Sequence, residues 1–403
     1  MSIIDGSLDS LKYEIQEESR QGARIKVVGV GGCGLNAVGR LVEEGLTGPE
    51  FYAIDTDAQA LNACNVPNKI QIGAKLTSAL GAGSDPKIGR RAAEEDTNRI
   101  IEMLQGADMV FVTAGLGGGT GAGAASVVAS LAKELDSLTV AVVTKPFTFE
   151  GARRMRLAEQ TMEELAEVVD TLITIPNDRL LTIVPRGTSI KQSFRVADDI
   201  LRQAVQGISD IICTPGVINL DFSDIKATML GMGHAIMGTA IAKGEKAAVE
   251  AARMAISCPL LEDTKIKGSK RILINITSGA ALGLHEVDEA CSIVRAAADS
   301  EDLQITFGIA NDESLGEGVK VTVIATGFRM ETPMLDAMRD AKPFMNAIPD
   351  VPPPPPAIMV APPEPPPVIE APPPVEEAPI VPLSMDLDDL DTPAYLRQGK
   401  HLN

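Results

Sequence analysis

Residues 24–38 read RIKVVGVGGCGLNAV. Within the first seven, 24–30, Ile25, Val27, Val28 and Val30 are β-branched and apolar, which predicts a strand. Gly29-Val-Gly31-Gly-Cys-Gly34 follows at once, and an apolar helical pattern continues through Leu41 and Val42. Strand, G-x-G-x-x-G and helix in that order make a phosphate-binding turn. Glycines allow the tight reversal and let backbone N–H groups approach an anion at the helix N-terminus. Asp55 closes the next apolar run, FYAID at 51–55, about twenty residues on. Taken alone, this is the dinucleotide fingerprint, with Asp55 as the ribose acid.

The pattern repeats outward. Apolar runs at 109–113 (MVFVT), 139–144 (TVAVVT) and 171–176 (TLITIP) predict further strands, with a helix over 124–135. Strands alternating with helices predict an α/β fold around a parallel sheet, and runs without polar alternation fit strands covered on both faces. Residues 188–212 carry Ile190, Phe194, Ala197, Leu201, Ala204, Ile208 and Ile211 at steps of three and four, one long helix. Beyond it, helical patterns at 245–257 and 286–299 and strands at 271–277, 303–309 and 319–326 predict a second α/β domain.

After the third strand comes Gly115-Leu-Gly117-Gly-Gly-Thr120-Gly-Ala-Gly123. So much glycine costs conformational entropy. It points to a nest of N–H groups around more than one phosphate, with Thr120 adding a hydroxyl. A dehydrogenase has no need of this second loop. Gly81-Ala-Gly83-Ser-Asp is equally an ordinary turn. No G-x-x-x-x-G-K-[ST] occurs, which argues against a P-loop NTPase.

Composition bounds the rest. The 403 residues carry 36 Lys and Arg against 55 Asp and Glu, a net charge of −19, so no uniform positive field attracts nucleic acid or an anionic membrane. No apolar run is long enough to span a bilayer, and the first residues lack a signal-peptide pattern; the expectation is a cytoplasmic protein. The five cysteines are scattered, which disfavours zinc and disulfides. Of 27 prolines, nine lie in residues 1–342 and eighteen in 343–403. The segment 349–382 therefore reads as an extended, disordered acidic tether. Leu387, Leu390, Tyr395 and Leu396 at its end read as a docking peptide set among acids, the alternative being a solvated acidic end.

These motifs together resemble the tubulin/FtsZ GTPase family. GGGTGAG at 117–123 looks like the tubulin signature, and it is joined by GVGGCGLNAV at 29–38, NDRLL at 177–181 and NLDFSD at 219–224, in family order. The resemblance implies a tubulin-like architecture. A flexible arm (1–22) would precede a Rossmann-type GTP-binding domain (23–187), a central helix (188–213) and a second α/β domain (214–328). A disordered linker (329–383) and a partner-binding peptide (384–403) would follow. It implies GTP or GDP with Mg²⁺ held through the nucleotide and no direct metal ligand. Gly31, Gly32, Cys33, Gly34, Asn36, Gly118, Gly119, Thr120 and Gly121 would hold the nucleotide. Glu150 and Asn177 would contact the ribose, Arg154 the terminal phosphate, Phe194 the face of the base and Asp198 its edge. Without the resemblance, Phe194 reads as core packing and Arg153, Arg154 and Arg156 as a solvated face. Cys33 stands where the family more often has glycine or alanine; beside a helix N-terminus its thiol is expected to ionise more readily.

The resemblance also implies that Asn219, Asp221 and Asp224 act on GTP in the next subunit of a head-to-tail filament. Asp221 and Asp224 would share one face of a helix, although N-capping by Asp221 or Ser223 explains the same spacing. The implied role is a cytokinetic ring scaffold at the midcell septum. Leu390, Asp391, Pro393, Tyr395 and Leu396 would bind adaptors such as FtsA, so that the membrane is reached indirectly. Two other readings stand beside this one: an NAD-dependent dehydrogenase, and a catalytically inactive tubulin-like filament protein.

Overall fold

A computed structural model describes residues 22–328 except 186, 214–215, 219, 259–265, 280–281 and 301. Residues 1–21 of the expected arm (1–22), the linker, the terminal peptide and Asn219 lie outside the described residues. The first half runs β1 (Ile25–Val30), α1 (Gly31–Glu43), β2 (Glu50–Asp55), α2 (Ala58–Ala63), β3 (Asn68–Gln71), α3 (Ala74–Thr77), α4 (Pro86–Glu95), α5 (Thr97–Leu104) and β4 (Met109–Gly115). It continues through α6 (Thr120–Glu134), β5 (Leu138–Lys145), α7 (Ala152–Val168), β6 (Thr171–Pro176) and α8 (Asn177–Ile183). The long helix α9 (Ile190–Cys213) follows. Then come β7 (Gly216–Ile218), α10 (Phe222–Met229), β8 (Gly233–Lys243), α11 (Ala247–Ile256), β9 (Arg271–Ser278), α12 (Leu284–Ala298), β10 (Gln304–Asn311) and β11 (Gly318–Thr326).

The strands form one sheet in the order β3-β2-β1-β4-β5-β6-β8-β11-β9-β10-β7. The six strands from β3 to β6 are all parallel to their neighbours. Every residue of β1 is buried, as are the first six of β4, because helices cover both faces. Val27 packs with Leu35, Leu41 and the α9 residues Leu201 and Ala204 on one face; Val28 and Val30 pack with Ala125 and Val128 of α6 on the other. This is the period-two alternation of a strand read from both sides.

The second half continues the sheet. β8 joins β6 in parallel from Thr171↔Gly233 to Ile173↔Ala235, then pairs antiparallel with β11. β8 was not foreseen: its glycines and alanines break the β-branched pattern, and pairing on both sides supplies what propensity does not. Ile272, Ile274, Val321 and Val323 pack on Ala248 and Ala252 of α11. The opposite face meets α9 through Leu273 and Ile324, packed with Leu201 and Ile208, and through polar groups. Asn275 Nδ2 donates to the Gly207 carbonyl at 3.2 Å, and Lys320 Nζ lies 3.9 Å from Asp210.

The order β3-β2-β1-β4-β5-β6 reverses direction between β1 and β4. In an open parallel sheet, connections leave such a point in opposite directions and open a crevice beyond the strand ends. Both glycine loops lie there.

Candidate nucleotide site

α1 begins at the residue after β1. Gly31 takes φ +72°, which only glycine adopts without strain, and a Cβ there would lie 2.8 Å from Gly121 N. The two loops therefore interlock. Neither α1 nor α6 has a side-chain cap at its N-terminus, so the first-turn N–H groups are left for another acceptor. At Gly32 and Gly118 a Cβ would meet nothing within 4 Å. Their bareness serves no internal packing, which fits close approach by a ligand. Gly34 differs: a Cβ would lie 2.4 Å from the Thr113 carbonyl, and Gly34 does not line the cleft. Its lack of a side chain serves packing, seating α1 on β4.

Residues past the carboxyl ends of β1, β2, β4, β5 and β6 enclose a cleft of about 650 Å³. Of the residues expected on the nucleotide, Gly31, Gly32, Cys33, Asn36, Gly118, Gly119, Thr120, Gly121, Glu150, Arg154, Asn177, Phe194 and Asp198 all line it. Asp57, Ala60, Gly81, Ala82, Ser84, Thr144 and Pro146 line it as well and were not singled out for it from the sequence. The one signal for them was Gly81-Ala-Gly83-Ser, which read equally as a further glycine loop and as an ordinary turn. Its Ala82 lies against Gly119, where a Cβ would approach to 2.8 Å.

The polar groups are arranged for a partner. Asn177 is buried, and its Oδ1 has no hydrogen-bond partner. A buried carbonyl oxygen facing a cleft calls for a ligand donor. Glu150 accepts from Phe147 N at 2.9 Å and pairs with Arg154. The Phe194 ring meets Phe147 edge-on at 5.4 Å and is 38% exposed, so it is not a core residue. Asp198 is buried 3.6 Å from Arg40; burial pushes its carboxyl up to about 6, and Arg40 opposes the rise. Thr120 Oγ1 is 2.7 Å from Thr56 Oγ1. Asp55 Oδ1 accepts from Thr56 N at 2.7 Å and Asp57 N at 3.3 Å, so the acid of the dinucleotide reading is engaged by its own loop.

Cys33 corrects an expectation. Its Sγ lies 3.8 Å from Thr144 Oγ1 and 4.0 Å from Asp198 Oδ1. Burial, then the charge of Asp198, push the thiol up to about 12. Desolvation outweighs the helix N-terminus, and the thiol stays protonated.

Asp221 and Asp224 lie elsewhere. Asp221 precedes α10 and caps it, accepting from Asp224 N at 2.8 Å. The capping alternative is thus realised, while both residues stay exposed. Neither lines the cleft of its own chain.

A family model for the tubulin/FtsZ GTPase domain matches residues 24–185, and one for the FtsZ C-terminal domain matches residues 233–329. An empty FtsZ dimer from M. jannaschii is 44% identical with a TM-score of 0.72, covering 76% of this chain and 88% of that one. A second M. jannaschii FtsZ structure, a point mutant, is also 44% identical, with a TM-score of 0.73 and coverage of 76% and 92%. CetZ2 from Haloferax volcanii, in a GTPγS-bound protofilament, shares the fold at 21% identity, a TM-score of 0.65 and coverage of 78% and 96%. With its glycine loops at the switch point of the sheet and the FtsZ C-terminal domain beyond, the chain belongs to the tubulin/FtsZ family of GTPases.

Proposed function

We propose that the protein binds GTP in this cleft, assembles head to tail, and hydrolyses GTP where two copies meet. One observation carries the reading. The cleft carboxylates Asp55, Asp57, Glu150 and Asp198 are each engaged by a partner, whereas Asp221 and Asp224 are exposed on the same chain but outside its cleft. Acids that orient an attacking water would then come from a neighbouring subunit. Such a contact joins unlike surfaces and propagates a filament. A dimer and a protofilament among the similar structures support self-association.

In this reading the first turns of α1 and α6 hold the phosphates through N–H groups, and Arg154 reaches the terminal one. Asn177 and Glu150 take the ribose, Phe194 the base face, and Asp198 the base edge. Mg²⁺ would enter with the triphosphate and neutralise phosphate charge. Asp57 and Thr120 offer the hard oxygen donors that cation prefers. Asp221 and Asp224, with Asn219, would polarise the water of the next subunit's site. The filament would form the cytokinetic ring at the division septum on the cytoplasmic side. The peptide around Leu390 to Leu396 would recruit membrane-tethering adaptors such as FtsA.

GTP turnover and light scattering, measured together against protein concentration, test this. Both are expected to rise above one shared threshold. Constant specific turnover down to high dilution would remove catalysis across an interface.

A further inference from the structure

α1 meets the cleft at its N-terminal end and the cleft residue Asp198 further along. Gly31, Gly32 and Cys33 line the cleft. Further along the helix, Arg40 turns to α9. Its Nη2 lies 3.6 Å from Asp198 Oδ2, and its Nη1 donates to the Arg195 carbonyl at 2.9 Å. The Asp198 side chain is 9% exposed and that of Arg40 23%. Arg40 itself does not line the cleft.

We propose that Arg40 is the positioning residue for base selection: from behind Asp198 it keeps that carboxylate ionised and aimed, so that the site takes a purine presenting two adjacent N–H donors. The inference rests on reading Asp198 as the guanine contact. An ionised carboxylate accepts from both the ring N–H and the exocyclic amine of guanine. A protonated one becomes a donor at one oxygen and loses one of those two bonds. Burial favours the protonated form and Arg40 opposes it. The other charged or titratable groups around Asp198 do not substitute for Arg40. Cys33 on α1 is a neutral thiol at 4.0 Å. Glu150 and Arg154, also on the cleft lining, pair with each other. On α9 itself, Asp199 pairs with Arg202, which also reaches Glu44. α1 thus joins phosphate binding at one end to base reading at the other.

Calorimetric titration of nucleotide-free protein with GTP and with ITP, which lacks the exocyclic amine, tests this between pH 5.5 and 8.5. In the unaltered protein the preference for GTP is expected to hold at pH 7.5 and fade below about 6. In Arg40→Gln the fading should begin at least one pH unit higher, and GTP affinity should fall about tenfold per unit below that point. Arg40→Lys should restore part of the range. If Arg40 only ties two helices together, Arg40→Gln would weaken GTP and ITP equally at every pH, and that result overturns the proposal. So does an unshifted pH profile while Asp198→Asn has lost the GTP preference. If Asp198→Asn keeps the GTP preference at every pH, the reading of Asp198 fails, and the role of Arg40 falls with it.

Discussion

If GTP is held as proposed, the glycines of the two loops divide into those that serve packing and those that serve the ligand, and paired substitutions separate them. At Gly118 a methyl group would meet nothing within 4 Å, and the backbone is not left-handed. Gly118→Ala should leave stability unchanged or raise it by up to about 1 kcal/mol through the unfolded chain. It should obstruct phosphate approach to the loop. Losing one charge-assisted N–H bond costs about 1.5–3 kcal/mol, roughly 10- to 150-fold in affinity. At Gly34 the methyl would lie 2.4 Å from the Thr113 carbonyl, a backbone atom that cannot rotate away. Overpacking of that kind costs about 1–3 kcal/mol, against a gain of about 1 kcal/mol in helix propensity. With so close an obstacle, a net loss of about 1–2 kcal/mol and a fall of several degrees in Tm are expected. Urea and thermal unfolding give the stabilities, and fluorescent GDP titration gives the affinities. Gly34→Ala melting with the unaltered protein, or Gly118→Ala binding GDP at full strength, would refute the division.

Asp224→Ala should keep GTP binding and lose turnover, because the residue is outside its own cleft; normal turnover in assembled protein would remove this acid from the chemistry. Lys320→Met leaves the partly buried Asp210 without its nearest cation. The expected loss is about 3 kcal/mol near pH 7.5, shrinking below pH 6 as the carboxyl protonates. In the unaltered protein burial already pushes Asp210 up from 3.8 to about 6. Over that window the folded state holds the extra proton, so this group's contribution to stability falls as pH rises. A Lys320→Met penalty that is flat from pH 5 to 8, by urea unfolding, would contradict this. Cys33, held near 12, should alkylate with iodoacetamide at pH 7.5 roughly a thousandfold more slowly than a thiol at the ordinary value of 9.0; rapid labelling by mass spectrometry would show that burial does not govern it.

Both glycine loops of the cleft were legible because their information is local. A strand, a turn that needs glycine and a helix N-terminus occupy about a dozen contiguous residues, and their N–H groups point outward wherever the fold places them. The long helix was equally legible, since Ala197, Leu201, Ala204 and Ile208 recur at helical spacing and are buried. Phe194 and Asp198 on that helix were not legible as cleft residues without the family resemblance. An apolar stripe looks the same whether it faces a core or a base. β8 escaped notice because its side chains are small, and only its neighbours β6 and β11 hold it as a strand.

By itself, then, the sequence determined the alternating α/β order, the two glycine turns and the acidic motif at 219–224. Each is encoded within one turn of chain or one helix face, where propensity and hydrogen-bonding geometry suffice. Tertiary structure alone decided which glycines have open space and which face backbone: nothing lies within 4 Å of a Cβ at Gly118, whereas at Gly34 the Thr113 carbonyl does. It also reversed the expectation for Cys33 and set Arg40 behind Asp198. Charge states depend on burial and on neighbours from distant segments, and Arg40 and Asp198 meet only because α1 packs against α9.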